Sequence, residues 1–129
     1  ICANQTSGKI FEMVDAIAGK QQKKALDLYY DLLMLKEPPM RILFLITRQF
    51  QILMQLKEMT EKGFDYKYMA GKAGVPEFAV RKYIGQARSF SLRRLEAAVR
   101  DGIQAEEDVK TGKMNDQLSV ELFLMTYSS

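Results

Sequence analysis

Histidine is absent from this 129-residue chain, and a single cysteine, Cys2, stands near its start. Those two scarcities remove whole classes of chemistry. Neither a Ser–His nor a Cys–His nucleophile can be assembled, and one thiol without any imidazole leaves too few ligands for a zinc site. One cysteine also permits no disulfide within the chain, which suits a reducing compartment. Neither the GxxxxGK[ST] phosphate loop nor GxGxxG occurs, and the carboxylates are scattered at helix-surface spacing, none beside a second in an apolar context. No catalytic, cofactor-binding or metal-ligating residue is expected, so the chain is not read as an enzyme. Long apolar runs are missing too. Arg48 and Gln49 interrupt the most hydrophobic stretch, well short of the ~20 apolar residues that a membrane span requires. The start, ICANQTSGK, lacks both an initiator Met and a basic region leading into an apolar stretch, so a fragment without a secretory signal is expected. The excess of one charge sign is small: a net charge of +3 permits contact with nucleic acid without demanding it.

What is present is helix. Hydrophobic residues at 47% and charged residues at 27% are ordinary for a globular protein, and 129 residues suffice for a single domain with a core of its own. The dominant stretch is PPMRILFLITRQFQILMQLKEMTEK, residues 38–62, with no Gly or Pro beyond its opening prolines. As a helix it would run roughly 36 Å. Wound at ~100° per residue, its apolar residues cover more than half the circumference, while Arg41, Arg48, Gln51, Gln55, Glu58 and Lys62 gather on a narrow stripe interrupted by Phe44. Such a helix must be covered on several sides. The expected fold is therefore all-α, a compact bundle of about seven helices around this long central one. Arg48, on a helix so largely buried, is expected to be structural and to need a carboxylate or carbonyl partner.

Around the hub the chain reads as short helices with short connections. Ser7 is a candidate N-cap for a first helix with Ile10, Phe11, Val14 and Ile17 inward, stopped by Gly19. A second runs from about Lys20 to Lys36, with Ala25, Leu28, Tyr29, Leu32, Leu33 and Leu35 as its apolar set. Glu37-Pro38-Pro39 ends it and starts the hub, which Gly63 closes. Asp65 opens a helix closed by Gly74, and Pro76 begins another packing through Phe78, Val80, Tyr83 and Ile84. Ser91 caps a longer one to Lys110, with Leu92, Leu95, Val99, Ile103 and Val109 inward, and Gly112 follows it. Asp116 starts the last helix, with Leu118, Leu122 and Met125 on one face and Val120, Phe123 and Leu124 making it apolar nearly all round. No β alternation, repeat or low-complexity linker intervenes.

Two places invite recognition chemistry. Residues 66–88 have a helix-turn-helix look, with Ala70, Gly74 and Val80 at the motif's small, turn and packing positions and Arg81, Lys82 and Arg88 available to a groove. The alternative is that two short helices meet at a glycine because a bundle needs a corner, and Pro76-Glu77-Phe78-Ala79 offers little to bases beyond a carboxylate that repels phosphate. The second place is the turn Lys110-Thr111-Gly112-Lys113-Met114-Asn115. Its lysines suit a phosphate backbone, yet Lys110 equally complements a helix C-terminus and Gly112 equally supplies the left-handed residue that ends one.

The last third carries a resemblance. Ser91-Leu92-Arg93-Arg94-Leu95-Glu96-Ala97-Ala98, Ala105-Glu106, Val109-Lys110-Thr111-Gly112 and Leu118-Ser119-Val120-Glu121-Leu122 resemble the C-terminal part of the delta subunit of bacterial DNA polymerase III. Ile10-Phe11-Glu12-Met13-Val14-Asp15-Ala16-Ile17 and Ile46-Thr47-Arg48-Gln49-Phe50-Gln51-Ile52-Leu53 extend the likeness over nearly the whole chain. Glu106 departs from the family's more frequent Asp but keeps the charge. The resemblance implies a helical collar domain, without nucleotide site or clamp-binding element, that joins equivalent bundles of other clamp-loader subunits in a cytoplasmic bacterial heteropentamer. Primer–template DNA would lie beneath the collar, and the sliding clamp would be met by domains not in this chain. Two expectations about residues follow. Faces of the Ser91–Lys110 helix and of the last helix should form the subunit interface, with Leu118, Phe123, Leu124 and Tyr127 in it, because Phe123, Leu124 and Tyr127 exceed what a one-sided terminal helix needs. Lys110 and Lys113 should contact DNA backbone. The competing functions are a helix-turn-helix regulator using residues 66–88 and a helical regulatory piece of an enzyme whose catalytic part lies elsewhere.

Overall fold

The computed structural model describes residues 2–129, with side chains from Thr6 onward; the Cys2 thiol lies outside the described residues. Seven helices account for most of them: α1 (Cys2–Ala18), α2 (Gln22–Met34), α3 (Pro39–Glu61), α4 (Tyr66–Ala73), α5 (Glu77–Ala87), α6 (Leu92–Lys110) and α7 (Asp116–Ser128). The hub expectation holds, since α3 packs against every one of the other six. Its buried residues, Ile42, Leu43, Ile46, Gln49, Phe50, Ile52, Leu53 and Leu56, span about half of its circumference at ~100° per residue, with half-buried residues on either side. Arg41, Phe44, Arg48, Gln51, Gln55, Glu58 and Lys62 form the exposed stripe.

Two apolar clusters divide the interior. The larger gathers α1, α2, most of α3, α6 and α7, with Met13, Tyr29, Leu32, Ile46, Phe50 and Leu95 fully enclosed. Phe50 sits at its centre, edge-on to Phe90 at 5.5 Å and to Phe123 at 6.3 Å. The smaller cluster closes the far end of α3 under α4 and α5 through Ile52, Leu56, Met69, Val80 and Ile84.

Local chemistry explains the boundaries. Asp65 accepts from the Tyr68 amide at 2.8 Å, Ser91 from Arg94 at 3.0 Å and Asn115 from Leu118 at 3.1 Å, each satisfying an orphan N–H of the first turn. Gly74 (φ 73°) and Gly112 (φ 79°) take the left-handed conformation that ends α4 and α6. Three expectations about ends need correction. Ser7 lies inside α1, which already runs from Cys2, so it caps nothing. The left-handed residue after α1 is Lys20 (φ 58°), not Gly19, and Lys36 (φ 67°) plays the same part after α2, which is therefore shorter at both ends than 20–36. Both lysines accept the strain because the turn is closed by backbone bonds, Gln21 N to Ala16 O at 2.8 Å and Glu37 N to Leu32 O at 3.1 Å.

The α3–α6 crossing is closed tightly around Gly102. Leu95, Ala98, Val99 and Gly102 line the inward face of α6. A Cβ on Gly102 would fall 2.3 Å from Thr47 Oγ1, so only hydrogen fits there. Small residues at the seam leave bulkier neighbours outside: Ile103, expected inward, is 55% exposed. Phe78 and Leu35, also expected to pack, are exposed as well, at 88% and 50%. Phe78 lies in the first turn of α5 on the side away from Val80 and Ile84, and Leu35 follows the last residue of α2.

Candidate functional site

The last helix is where an assembly surface was expected, and the structure assigns its faces differently. Tyr29 donates from its hydroxyl to Gln117 O at 3.2 Å and Tyr30 to Glu121 Oε2 at 2.7 Å, seating α2 along one flank of α7. Burial and the carboxylates of Glu121 and Asp116 push the Tyr29 phenol above its ordinary range, while the bond to Glu121 raises that of Tyr30. On the other flank Ser119 donates to Ala105 O of α6 at 3.2 Å. Val120, Phe123, Leu124 and Tyr127 point into the core between these flanks, at 5% exposure or less. Leu118, Leu122 and Met125, spaced by four and three residues, stand on the opposite side at 42–45% exposure.

Three of the four residues expected to await a partner are thus covered by the chain itself. Tyr127 is engaged on every side. Its ring lies 5.0 Å from Phe123 and 4.7 Å from the Arg94 guanidinium, which also donates to Tyr127 O at 2.9 Å. Its hydroxyl donates to Asp101. Burial, reinforced by that bond, pushes the phenol up to about 12. Losing Phe123 or Tyr127 would therefore open the core. Only Leu118 of the expected set is exposed, and Leu122 and Met125 complete the ridge it belongs to. Beside the ridge, between α6 and α7, runs a groove of about 250 Å³ with Leu122, Met114 and Thr126 along it and the carboxylates of Asp101 and Asp108 at its edge.

The expected structural role of Arg48 is likewise corrected. It is exposed on the stripe of α3 and forms no ion pair or hydrogen bond among the described residues. The buried polar side chain of the hub is its neighbour Gln49, which donates from Nε2 to Gln86 Oε1 at 2.9 Å. Gln86 in turn donates to Phe11 O at 3.0 Å and to Asp15 Oδ1 at 2.8 Å. This chain of bonds ties α1, α3 and α5 together across sequence separations of 37 to 75 residues, which no local pattern reveals.

Lys110 occupies the last turn of α6, 3.9 Å from Glu106 in an exposed i,i+4 pair of small energetic weight. Lys113 is exposed beyond Gly112 and pairs with no carboxylate among the described residues. In the segment read as a helix-turn-helix, α4 and α5 do meet at Gly74. Two of its cations lie over aromatic rings, Arg81 over Tyr66 at 5.6 Å and Lys82 over Phe11 at 4.2 Å. No helix is long and apolar enough to cross a membrane among the described residues.

The chain matches the family described as "DNA polymerase III delta subunit, C-terminal domain" over residues 7–127. It is 34% identical over 125 residues to the DNA polymerase III subunit delta of Bacillus subtilis, covering 97% of this chain and 36% of that one. Its fold superposes on the Bacillus subtilis DNA clamp loader delta protein (YqeN) with a TM-score of 0.89 at 33% identity, covering 95% of this chain and 36% of the other. The helix-turn-helix reading is not favoured by these matches. The chain thus spans about a third of the length of its Bacillus subtilis relative, and it belongs to the family formed by the C-terminal domains of DNA polymerase III delta subunits.

Proposed function

We propose that this domain is the assembly module of a clamp-loader delta subunit, holding that subunit against its neighbours in the complex that loads the sliding clamp on primed DNA during replication in the bacterial cytoplasm. The observation that carries this reading is the outer ridge of α7. Leu118, Leu122 and Met125 form an aliphatic row on a helix whose opposite face is already packed. An apolar row left open on a folded domain suits a protein partner, and the adjoining α6–α7 groove suits an apolar side chain with a basic neighbour that meets Asp101 or Asp108. The reading assigns this domain no catalytic step; the clamp and any nucleotide would be handled elsewhere in the protein. Within the assembly Lys113 stands free for a DNA phosphate, a contact of position and not of sequence.

Co-elution of the chain with the remaining loader subunits in gel filtration tests this. Leu122→Glu should weaken association by about 30-fold or more, as expected for a central apolar anchor, with the melting temperature nearly unchanged. Phe123→Ser should do the reverse and lower the melting temperature first. Undiminished co-elution of Leu122→Glu would remove the α7 ridge from the interface.

A further inference from the structure

The exposed aromatic residues are not scattered. Six are exposed (Tyr30, Phe44, Phe64, Tyr66, Tyr68 and Phe78), and four of these fall between residues 64 and 78. The exposed apolar row of α7 is wholly aliphatic, whereas no large aliphatic side chain is exposed in this second region. Flat rings and aliphatic ridges suit different partners, because a ring offers a π-face to any nucleobase regardless of its identity.

Where α3 ends and α4 begins, the Phe64 and Tyr68 rings lie 4.6 Å apart and 31° from parallel, both more than 40% exposed. They line a groove of about 360 Å³ together with Lys62, Lys72 and Glu58, a volume in the range of small-ligand clefts. Lys72 Nζ stands 5.8 Å from the Tyr68 ring centre. Neither Lys62 nor Lys72 forms an ion pair among the described residues, and Glu58 sets one negative charge against their two. The groove opens onto the exposed stripe of α3, where Gln55, Gln51 and the unpaired Arg48 follow at one-turn intervals, roughly 21 Å from Lys62 to Arg48. That stripe contains amides and cations and, among acids, only Glu58 between Arg48 and Lys62.

We propose that this groove binds single-stranded nucleic acid, a base extending the Phe64–Tyr68 stack and the flanking phosphates meeting Lys62 and Lys72, with the strand continuing along α3 toward Arg48. Recognition is by stacking and backbone charge, without base readout. The site is separate from the α7 ridge and does not depend on it.

Fluorescence anisotropy of a labelled oligothymidylate, titrated with the 129-residue chain, tests the proposal. Binding should saturate, and its logarithm should fall with log salt at a slope of about −1.4 for two phosphates neutralised on a single strand. Phe64→Ala with Tyr68→Ala should weaken it by about tenfold, whereas Tyr68→Phe, which keeps the ring, should bind like the parent. Lys62→Gln with Lys72→Gln should flatten the salt slope. All these side chains are exposed, so an unchanged melting temperature verifies the fold of each variant. Oligouridylate binding equally well supports the proposal, since stacking is indifferent to the sugar. Three results overturn it: no saturable binding at low salt, duplex competing as well as single strand, or binding indifferent to loss of both rings. If loss of the rings abolished co-elution with the loader subunits while leaving the oligonucleotide bound, the face would be a protein interface and the proposal would fall. Leu122→Glu should leave oligonucleotide binding intact, so failure of the assembly reading and failure of this one are read independently.

Discussion

Gly102→Ala is the sharpest test of how the two longest helices meet. In an ordinary helix interior this change stabilises by about 1 kcal/mol, because glycine gives up more backbone freedom on folding than alanine. Here the new Cβ would lie 2.3 Å from Thr47 Oγ1 and 3.2 Å from both Thr47 Cβ and Cγ2. All three contacts belong to one β-branched side chain on the buried flank of α3. Threonine has two favoured χ1 rotamers in a helix, so Oγ1 can turn away, but the contact with Cβ does not depend on χ1 at all. Overpacking of this kind costs ~1–3 kcal/mol, occasionally more, which outweighs the propensity gain. A net loss of about 1–2 kcal/mol should lower Tm by roughly 3–8 °C in a chain of this size. Thr47→Ala by itself should be close to neutral, since it removes a methyl group but also a buried hydroxyl without any hydrogen-bond partner. In that background Gly102→Ala should become neutral or stabilising, a coupling of about 1–2 kcal/mol. Urea denaturation of the four proteins, followed by far-ultraviolet circular dichroism, measures the cycle, and the m-values should agree. A Gly102→Ala variant as stable as the parent, or one equally damaged whether or not Thr47 is present, would refute the steric argument.

Gln86→Leu should destabilise by about 1–3 kcal/mol, because it leaves the buried Gln49 amide without its acceptor; adding Gln49→Leu should recover part of the loss in the same denaturation assay, and a fully additive pair would deny the coupling. The phenols of Tyr127 and Tyr29 both hold their protons more tightly in the folded state than the ordinary pKa of about 10. Their contribution is complete below that pH and is lost as pH rises toward 12, the folded value for Tyr127, because only the unfolded chain ionises readily there. The urea midpoint should therefore fall steeply on the alkaline side, and less steeply in Tyr127→Phe; identical alkaline limbs would mean that this phenol does not take part.

Features whose cause is local were legible in the sequence. Asp65, Ser91, Gly74 and Gly112 announce helix ends because a cap is decided within one turn, and the structure places each as expected. The hub was legible because its apolar residues cover too much of the circumference for a surface helix, and its stripe from Arg41 to Lys62 was placed correctly. The same argument failed at Arg48, where a property of the whole helix was transferred to a residue on its one wet edge. Lys20 and Lys36 show another limit: a left-handed residue is selected by where the turn must close, and a nearby glycine does not always occupy that place.

The site was harder to read for a reason specific to α7. Periodicity identifies a buried face only by contrast with a polar one, and α7 has apolar residues on both sides. Leu118, Leu122 and Met125 make as good a stripe as Val120, Phe123, Leu124 and Tyr127, so the sequence pattern permits either to turn inward. What decides is pairing with distant residues. The hydroxyls of Tyr29 and Tyr30 meet α7 from one flank, Ser119 reaches Ala105 on the other, and Arg94 and Asp101 fix Tyr127. Each is a contact across 14 to 91 residues of chain, and together they set the rotation of the helix. Once that rotation is set, the surplus apolar surface lies on the face of Leu118, Leu122 and Met125, opposite Phe123, Leu124 and Tyr127. The proposal of a partner on α7 rests on how much apolar surface the helix carries, which rotation redistributes and does not remove.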